Sequence, residues 1–182
     1  TSTPIPVNAI IDAVNDNGSN INGYIGGTTL ANVLSNDTVN GIPTTLSNVI
    51  LTQVNTTNPG VTLNTSTGAV IVAPGTPAGS YTLTYQICEV LNPTNCDTAV
   101  VIVPVRSAPI TANDDAGTSV NGYTGGTAFT NVLTNDTLNG VAVVPSEVTT
   151  TFVSSTNPGV TLSGTNVVVA PGTPAGSYTL TY

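Results

Sequence analysis

The sequence predicts an all-β chain built from repeated antiparallel sandwiches. Three observations carry this. The stretch 73–85 reads APGTPAGSYTLTY and returns unchanged at 170–182. Thr, Val and Ile recur throughout, and their branched Cβ atoms suit a pleated strand. Gly, Pro and Asn-Gly steps interrupt every few residues, which leaves no room for a helix of ordinary length.

The repeat extends beyond the verbatim patch. Asn22-Gly23-Tyr24 matches Asn121-Gly122-Tyr123, Asn36-Asp37-Thr38 matches Asn135-Asp136-Thr137, and Asn58-Pro59-Gly60 matches Asn157-Pro158-Gly159. The offset is 99 positions up to that point (157 − 58) and 97 after it (170 − 73). The second copy has therefore lost two residues, and the loss falls in a turn near 65–68. A period of this size makes each unit a small domain, so function belongs to an array of like modules.

Within the first copy the pattern predicts strands over 9–14, 29–34, 48–54, 61–63, 69–72, 80–90 and 96–105. Tyr81, Leu83, Tyr85 and Ile87 alternate and should share the buried face, with Thr82, Thr84 and Gln86 opposite. Asn40-Gly41 and Asn139-Gly140 are type I′ turn candidates, because both residue types tolerate positive φ. About seven strands in roughly 100 residues point to an immunoglobulin-like antiparallel sandwich. Tyr24 and Tyr123 are expected to fold back onto their sandwiches.

The expected organisation is a tail of a preceding repeat at 1–7, a first repeat at 8–105, a linker at 106–111 and a second repeat at 112–182. The second repeat stops before its last strands, so the chain reads as a window on a longer array. Pro109 stiffens the short linker, and the modules should follow one another as an extended array.

Charge excludes several functions. The chain has one Arg, no Lys, no His and nine acids, for a net charge of −8. Such a surface cannot neutralise phosphates, so nucleic acid is not a partner. No apolar run is long enough for a membrane helix, and no direct membrane insertion is expected. Without His, no Ser–His or Cys–His nucleophile pair exists. An enzyme is not expected.

The stretches 61–71 and 75–85 resemble bacterial immunoglobulin-like and cadherin-like repeats of large surface proteins. Ala112-Asn113-Asp114-Asp115-Ala116 followed by Val132-Leu133-Thr134-Asn135-Asp136 is similar to the same group. With Tyr85-Gln86-Ile87-Cys88-Glu89 and Asn92 to Ala99 included, the pattern resembles repeats of giant Bacteroidota cell-surface adhesins of the gliding-motility (SprB) type. The resemblance implies a secreted, type IX-exported stalk segment at the cell surface, acting in attachment or gliding. Its partners would be neighbouring repeats and an extracellular surface or polysaccharide ligand. The alternative is a self-assembling extracellular filament subunit, completed by a strand from a neighbour.

Three sets of residues carry chemistry. Cys88 and Cys96 flank the turn 91–95 and face each other across a hairpin. A disulfide is the expected state in an oxidising exterior, against two small buried thiols. Asp114, Asp115 and Asp136, with Asp16 and Asp37 at matching places, offer hard oxygen ligands for Ca²⁺ near a module junction. The competing reading is turn capping, since Asp and Asn bond their own backbone. Thr38, Thr98 and Thr137 each follow Asp and precede an apolar residue, the pattern of O-glycosylation in Bacteroidota.

Overall fold

The computed structural model describes residues 9–182, so the expected tail at 1–7 lies outside the described residues. The chain divides into two compact units, Thr1–Ala108 and Pro109–Tyr182.

The first unit is a sandwich. Its longest ladder joins Gly79–Glu89 to Cys96–Arg106, antiparallel, from Gly79↔Val105 to Cys88↔Cys96. Val49–Thr56 pairs along the other side of Gly79–Glu89. The facing sheet is the hairpin Val61–Asn64 and Ala69–Val72, with Gly27–Leu30 beside it. Period-two alternation turns one face of each sheet inward. Leu83, Tyr85, Ile87, Val101 and Val103 from one sheet meet Val61, Val70 and Val72 from the other, all fully buried in one cluster. Burying both inner faces in this way is what makes two sheets a stable layer pair.

A small third sheet places Thr38–Val39 between Ile11–Asp12 and Ile42–Pro43. Its two-residue turn is Asn40-Gly41, with φ of 53° and 74°. Positive φ at both positions matches the right-handed strand twist, as the Asn-Gly signal predicts.

Two sequence expectations need correction. The strand expected over 29–34 stops at Leu30, and Val33–Ser35 forms a 3-10 turn. There the Asn32 side chain accepts the Leu34 N–H at 3.0 Å, which offers the backbone an alternative to the ladder. The strand expected over 9–14 is only Ile11–Asp12. Beyond it the chain changes sheet, and Asp16–Asn17 and Ile21–Asn22 run parallel to Cys96–Arg106. The sandwich is thus not purely antiparallel. Polar, Gly-containing sequence between 15 and 23 breaks the strand into short pieces.

The second unit repeats the arrangement. Thr137–Leu138 lies between Ile110–Thr111 and Val141–Ala142. Asn166–Val169 lies between Gly126–Phe129 and Val160–Ser163. Ser154–Ser155 pairs with Leu180–Thr181. The two-residue deletion is visible in the hairpins. The first unit's loop closes at Asn64↔Ala69, and the second unit's at Ser163↔Asn166. Both loops still serve the next turn, since Gly68 O accepts Val33 N–H at 2.9 Å and Thr165 O accepts Val132 N–H at 2.8 Å.

Candidate functional site

The verbatim repeat is a set of hydrogen bonds. Thr76 Oγ1 donates to Ala73 O at 2.6 Å, and Thr173 Oγ1 to Ala170 O at 2.6 Å. Tyr81 donates its hydroxyl to Pro77 O at 2.8 Å, and Tyr178 to Pro174 O at 2.9 Å. The turn 73–76 also receives the Asn-Gly-Tyr loop, where Gly23 O accepts Gly75 N–H at 2.8 Å. Gly122 O accepts Gly172 N–H at 2.7 Å in the same way.

Tyr85 is the largest fully buried side chain of the first unit. Alternation on Gly79–Glu89 sends its ring into the core, and a buried hydroxyl needs partners. Its Oη lies 3.0 Å from both carboxylate oxygens of Asp37 and 3.3 Å from Asp16 Oδ2. The carbonyls of Val14 and Val33 lie 3.1 and 3.3 Å away. Asp37 Oδ1 also accepts the Val14 N–H at 2.7 Å. Both carboxylates are buried.

Burial pushes the Asp16 carboxyl up to about 6, against a hydrogen bond from Tyr85 and with help from the Asp37 charge. Asp37 is raised for the same first reason, with Val14 and Tyr85 hydrogen bonds opposing. Tyr85 is pushed up by burial and then by the Asp37 and Asp16 charges.

The second unit repeats the cluster around Tyr182. Its hydroxyl lies 3.2 Å from Asp115 Oδ2, 3.4 Å from Asp136 Oδ2, 3.0 Å from Val132 O and 3.2 Å from Asn113 O. Asp136 Oδ1 accepts the Asn113 N–H at 2.8 Å. Burial raises Asp115 and Tyr182 as it does their counterparts.

This geometry changes the reading of the recurrent acids. Asp115 and Asp136 do converge, but on a tyrosine. The exposed Asp114 contributes its carbonyl, which accepts Asn135 Nδ2 at 3.0 Å. Among the described residues no three His, Cys, Asp or Glu side chains are grouped to hold a metal. A calcium ion needs six to eight oxygens facing one point. Here Asp115 and Asp136 lie against the Tyr182 hydroxyl and Asp136 also accepts the Asn113 N–H, while Asp114 stays exposed. Asp37 and Asp136 do more than cap their own turns, since each accepts an N–H from a residue 23 positions away.

The cysteines behave as their spacing predicts. Cys88 and Cys96 form a disulfide with Cα atoms 4.1 Å apart, at facing positions of the ladder. The hairpin tip is further organised by Glu89, whose carboxylate accepts Asn92 Nδ2 at 2.9 Å and Asn95 Nδ2 at 3.1 Å. Those two amides hold the Glu89 carboxyl below its ordinary range.

Of the glycosylation candidates, Thr98 is exposed on Cys96–Arg106, whereas Thr38 and Thr137 are half-buried. The Asp residues preceding Thr38 and Thr137 are the buried partners of Tyr85 and Tyr182. Tyr123 does not fold back onto its sandwich, and Tyr24 is only partly covered. Tyr24 and Tyr123 are 40% and 87% exposed.

The tyrosine clusters went unread in the sequence. The available signal was a Tyr on the apolar face of a strand, together with repeated Asp in a chain almost without cations.

No family model matches the chain, and no curated protein does. Among solved structures it is similar to the extracellular domain of protocadherin gammaB4, at 13% identity and a TM-score of 0.38. That match covers 90% of this chain and 29% of the other. The protocadherin gammaB7 EC3-6 cis-dimer structure matches at 11% identity and a TM-score of 0.38, covering 90% and 43%. Extracellular cadherin domains 3–6 of protocadherin gamma B2 match at 12% identity and a TM-score of 0.31, covering 90% and 44%. The chain therefore spans less than half the length of these structures. At such scores the architecture rests on the strand pairing itself. No helix among the described residues is long and apolar enough to cross a membrane.

Proposed function

We propose that the chain is a load-bearing stretch of an extracellular adhesive stalk, of the kind the Bacteroidota surface adhesins carry, with no catalytic role. The observation that carries this reading is the parallel pairing at the edges of the first unit's chain. Asp16–Asn17 and Ile21–Asn22 lie along Cys96–Arg106 in the same direction. Gly18 N–H donates to Ile102 O at 2.8 Å and Gly23 N–H to Arg106 O at 3.0 Å. Asn15 Oδ1 accepts Val100 N–H at 2.8 Å. A pull on opposite ends of two parallel paired strands loads these bonds together in shear, rather than one after another.

The duplicated architecture, the scarce charge and the Pro-containing linker support an array of modules projecting from a surface. Neighbouring repeats are the immediate partners, and an external surface or polysaccharide is the distal one. Glycans, where present, sit best on exposed Thr98. The filament alternative requires assembly between chains.

Single-molecule pulling on the full chain tests the load-bearing role. A cooperative, high-force rupture of the first unit is expected. A gradual low-force extension overturns the reading. Small-angle scattering tests the stalk, which requires an elongated particle that stays monomeric as concentration rises.

A further inference from the structure

We propose that Tyr85, Asp16 and Asp37 form a proton-sharing latch, which fastens the first strand segment to the core more firmly at mildly acidic pH than at neutral pH. Tyr85 carries one hydroxyl hydrogen, yet five acceptor oxygens lie within 3.3 Å of its Oη. Val14 N–H serves Asp37 Oδ1. If both carboxylates are ionised, two negative groups and two carbonyls compete for one hydrogen.

A second proton, on Asp16 Oδ2, resolves this. Asp16 then donates to Tyr85 Oη, and Tyr85 donates to Asp37. The 3.3 Å and 3.0 Å separations become a chain of two O–H···O bonds ending on one carboxylate. Tyrosine can both donate and accept, which is what the middle position requires.

No cation among the facing groups substitutes for that proton. The titratable groups facing the cluster are Asp12 from the first strand, Asp16, Asp37 and, from Cys96–Arg106, Asp97. All are acids. The chain's only cation, Arg106, is at the opposite end of the strand that bears Asp97, in register with Asn22. Asn36 is the remaining polar neighbour: its side chain hydrogen-bonds Asp16, which only partly offsets the burial, and its amide also donates to Val14 O and Asn15 O at 3.2 and 3.4 Å.

The segment fastened is specific. Val14 N–H and C=O both bond within the cluster, and Ala13 N–H donates to Asp97 Oδ2 at 2.9 Å. These residues lead directly into Asp16–Asn17, where the parallel pairing begins.

Direction follows from linkage. Asp16 holds its proton up to about 6 in the folded chain, against an ordinary value of 3.8. The folded state thus binds more protons than the unfolded state between those values. The contribution is fully present below 3.8 and is lost as pH rises through about 6.

Hydrogen exchange at the Val14 amide of the full chain tests it, since that amide reports the first unit alone. Protection is expected to fall at least tenfold, and up to about a hundredfold, between about pH 4.5 and about pH 7.5, because each unit of pKa difference is a factor of ten in the linked equilibrium. Asp16→Asn should remove most of the fall, leaving the part due to the raised Asp37 carboxyl, while Asp114→Asn, on an exposed residue, should leave the profile as in the parent. A smaller fall, or one undiminished in Asp16→Asn, overturns the proposal. If Asp16→Asn does not fold, the carboxyl ¹³C titration of Asp16 in the unaltered chain decides. A midpoint near 6 supports the latch, and one near 3.8 refutes it.

Discussion

At the scale of the residue, the repeated letters are those that close a polar contact or tolerate a close approach. Gly23 is the sharpest case. A Cβ there would collide with the Thr76 carbonyl oxygen and lie 2.7 Å from Val105 Cγ1. Neither neighbour can yield freely, since Thr76 is hydrogen-bonded to its own turn and Val105 is in the core. Gly23→Ala should therefore destabilise the first unit by roughly 1–3 kcal/mol, the usual cost of overpacking. Urea denaturation would show it as a lower midpoint, and an unchanged midpoint would mean that the turn relaxes at no cost.

At the scale of the element, the hairpin Gly79–Glu89 and Cys96–Arg106 is the structural spine of the first unit. Its disulfide encloses a short loop, with a sequence separation of 8. Closing such a loop removes unfolded-state freedom worth roughly 2–3 kcal/mol in the chain-entropy picture. Replacing both cysteines by serine should cost about that much in chemical denaturation, with far-ultraviolet dichroism retained. Loss of the fold at room temperature would show that the spine depends on the bond far more than entropy allows.

The long strands were legible in the sequence because their alternation is strong. The ladder expected over 80–90 and 96–105 is found at Gly79–Glu89 and Cys96–Arg106. The Asn-Gly turns and the facing cysteines were legible for the same local reasons. The parallel segments Asp16–Asn17 and Ile21–Asn22 were not, because two-residue strands carry no periodicity and their partner lies some eighty positions away. The Tyr85 cluster was hidden likewise. Its acids look like turn residues until the strand order brings them onto one hydroxyl.

At the scale of the whole molecule, a net charge of −8 with a single cation leaves few attractive pairs and a general self-repulsion. Added salt screens that repulsion, since the screening length falls from about 30 Å at 0.01 M to about 8 Å at 0.15 M. The melting temperature should rise over that range, and a fall would point to favourable ion pairs. Removal of divalent cations by a chelator should leave melting unchanged, because Asp115 and Asp136 lie against the Tyr182 hydroxyl and the Asn113 amide. A lower melting temperature after chelation would instead assign calcium to Asp114, Asp115 and Asp136.

The hairpin that closes at Asn64↔Ala69 in one unit and at Ser163↔Asn166 in the other is the place where this architecture has already accepted a change in chain length. Both versions keep the flanking ladder and the carbonyl that receives the next turn's amide. A fluorophore, an affinity handle or a peptide epitope grafted between Asn64 and Gly68 would thus ride on the module without entering its interior. That makes the loop a natural port for tagging individual modules and following them on living cells.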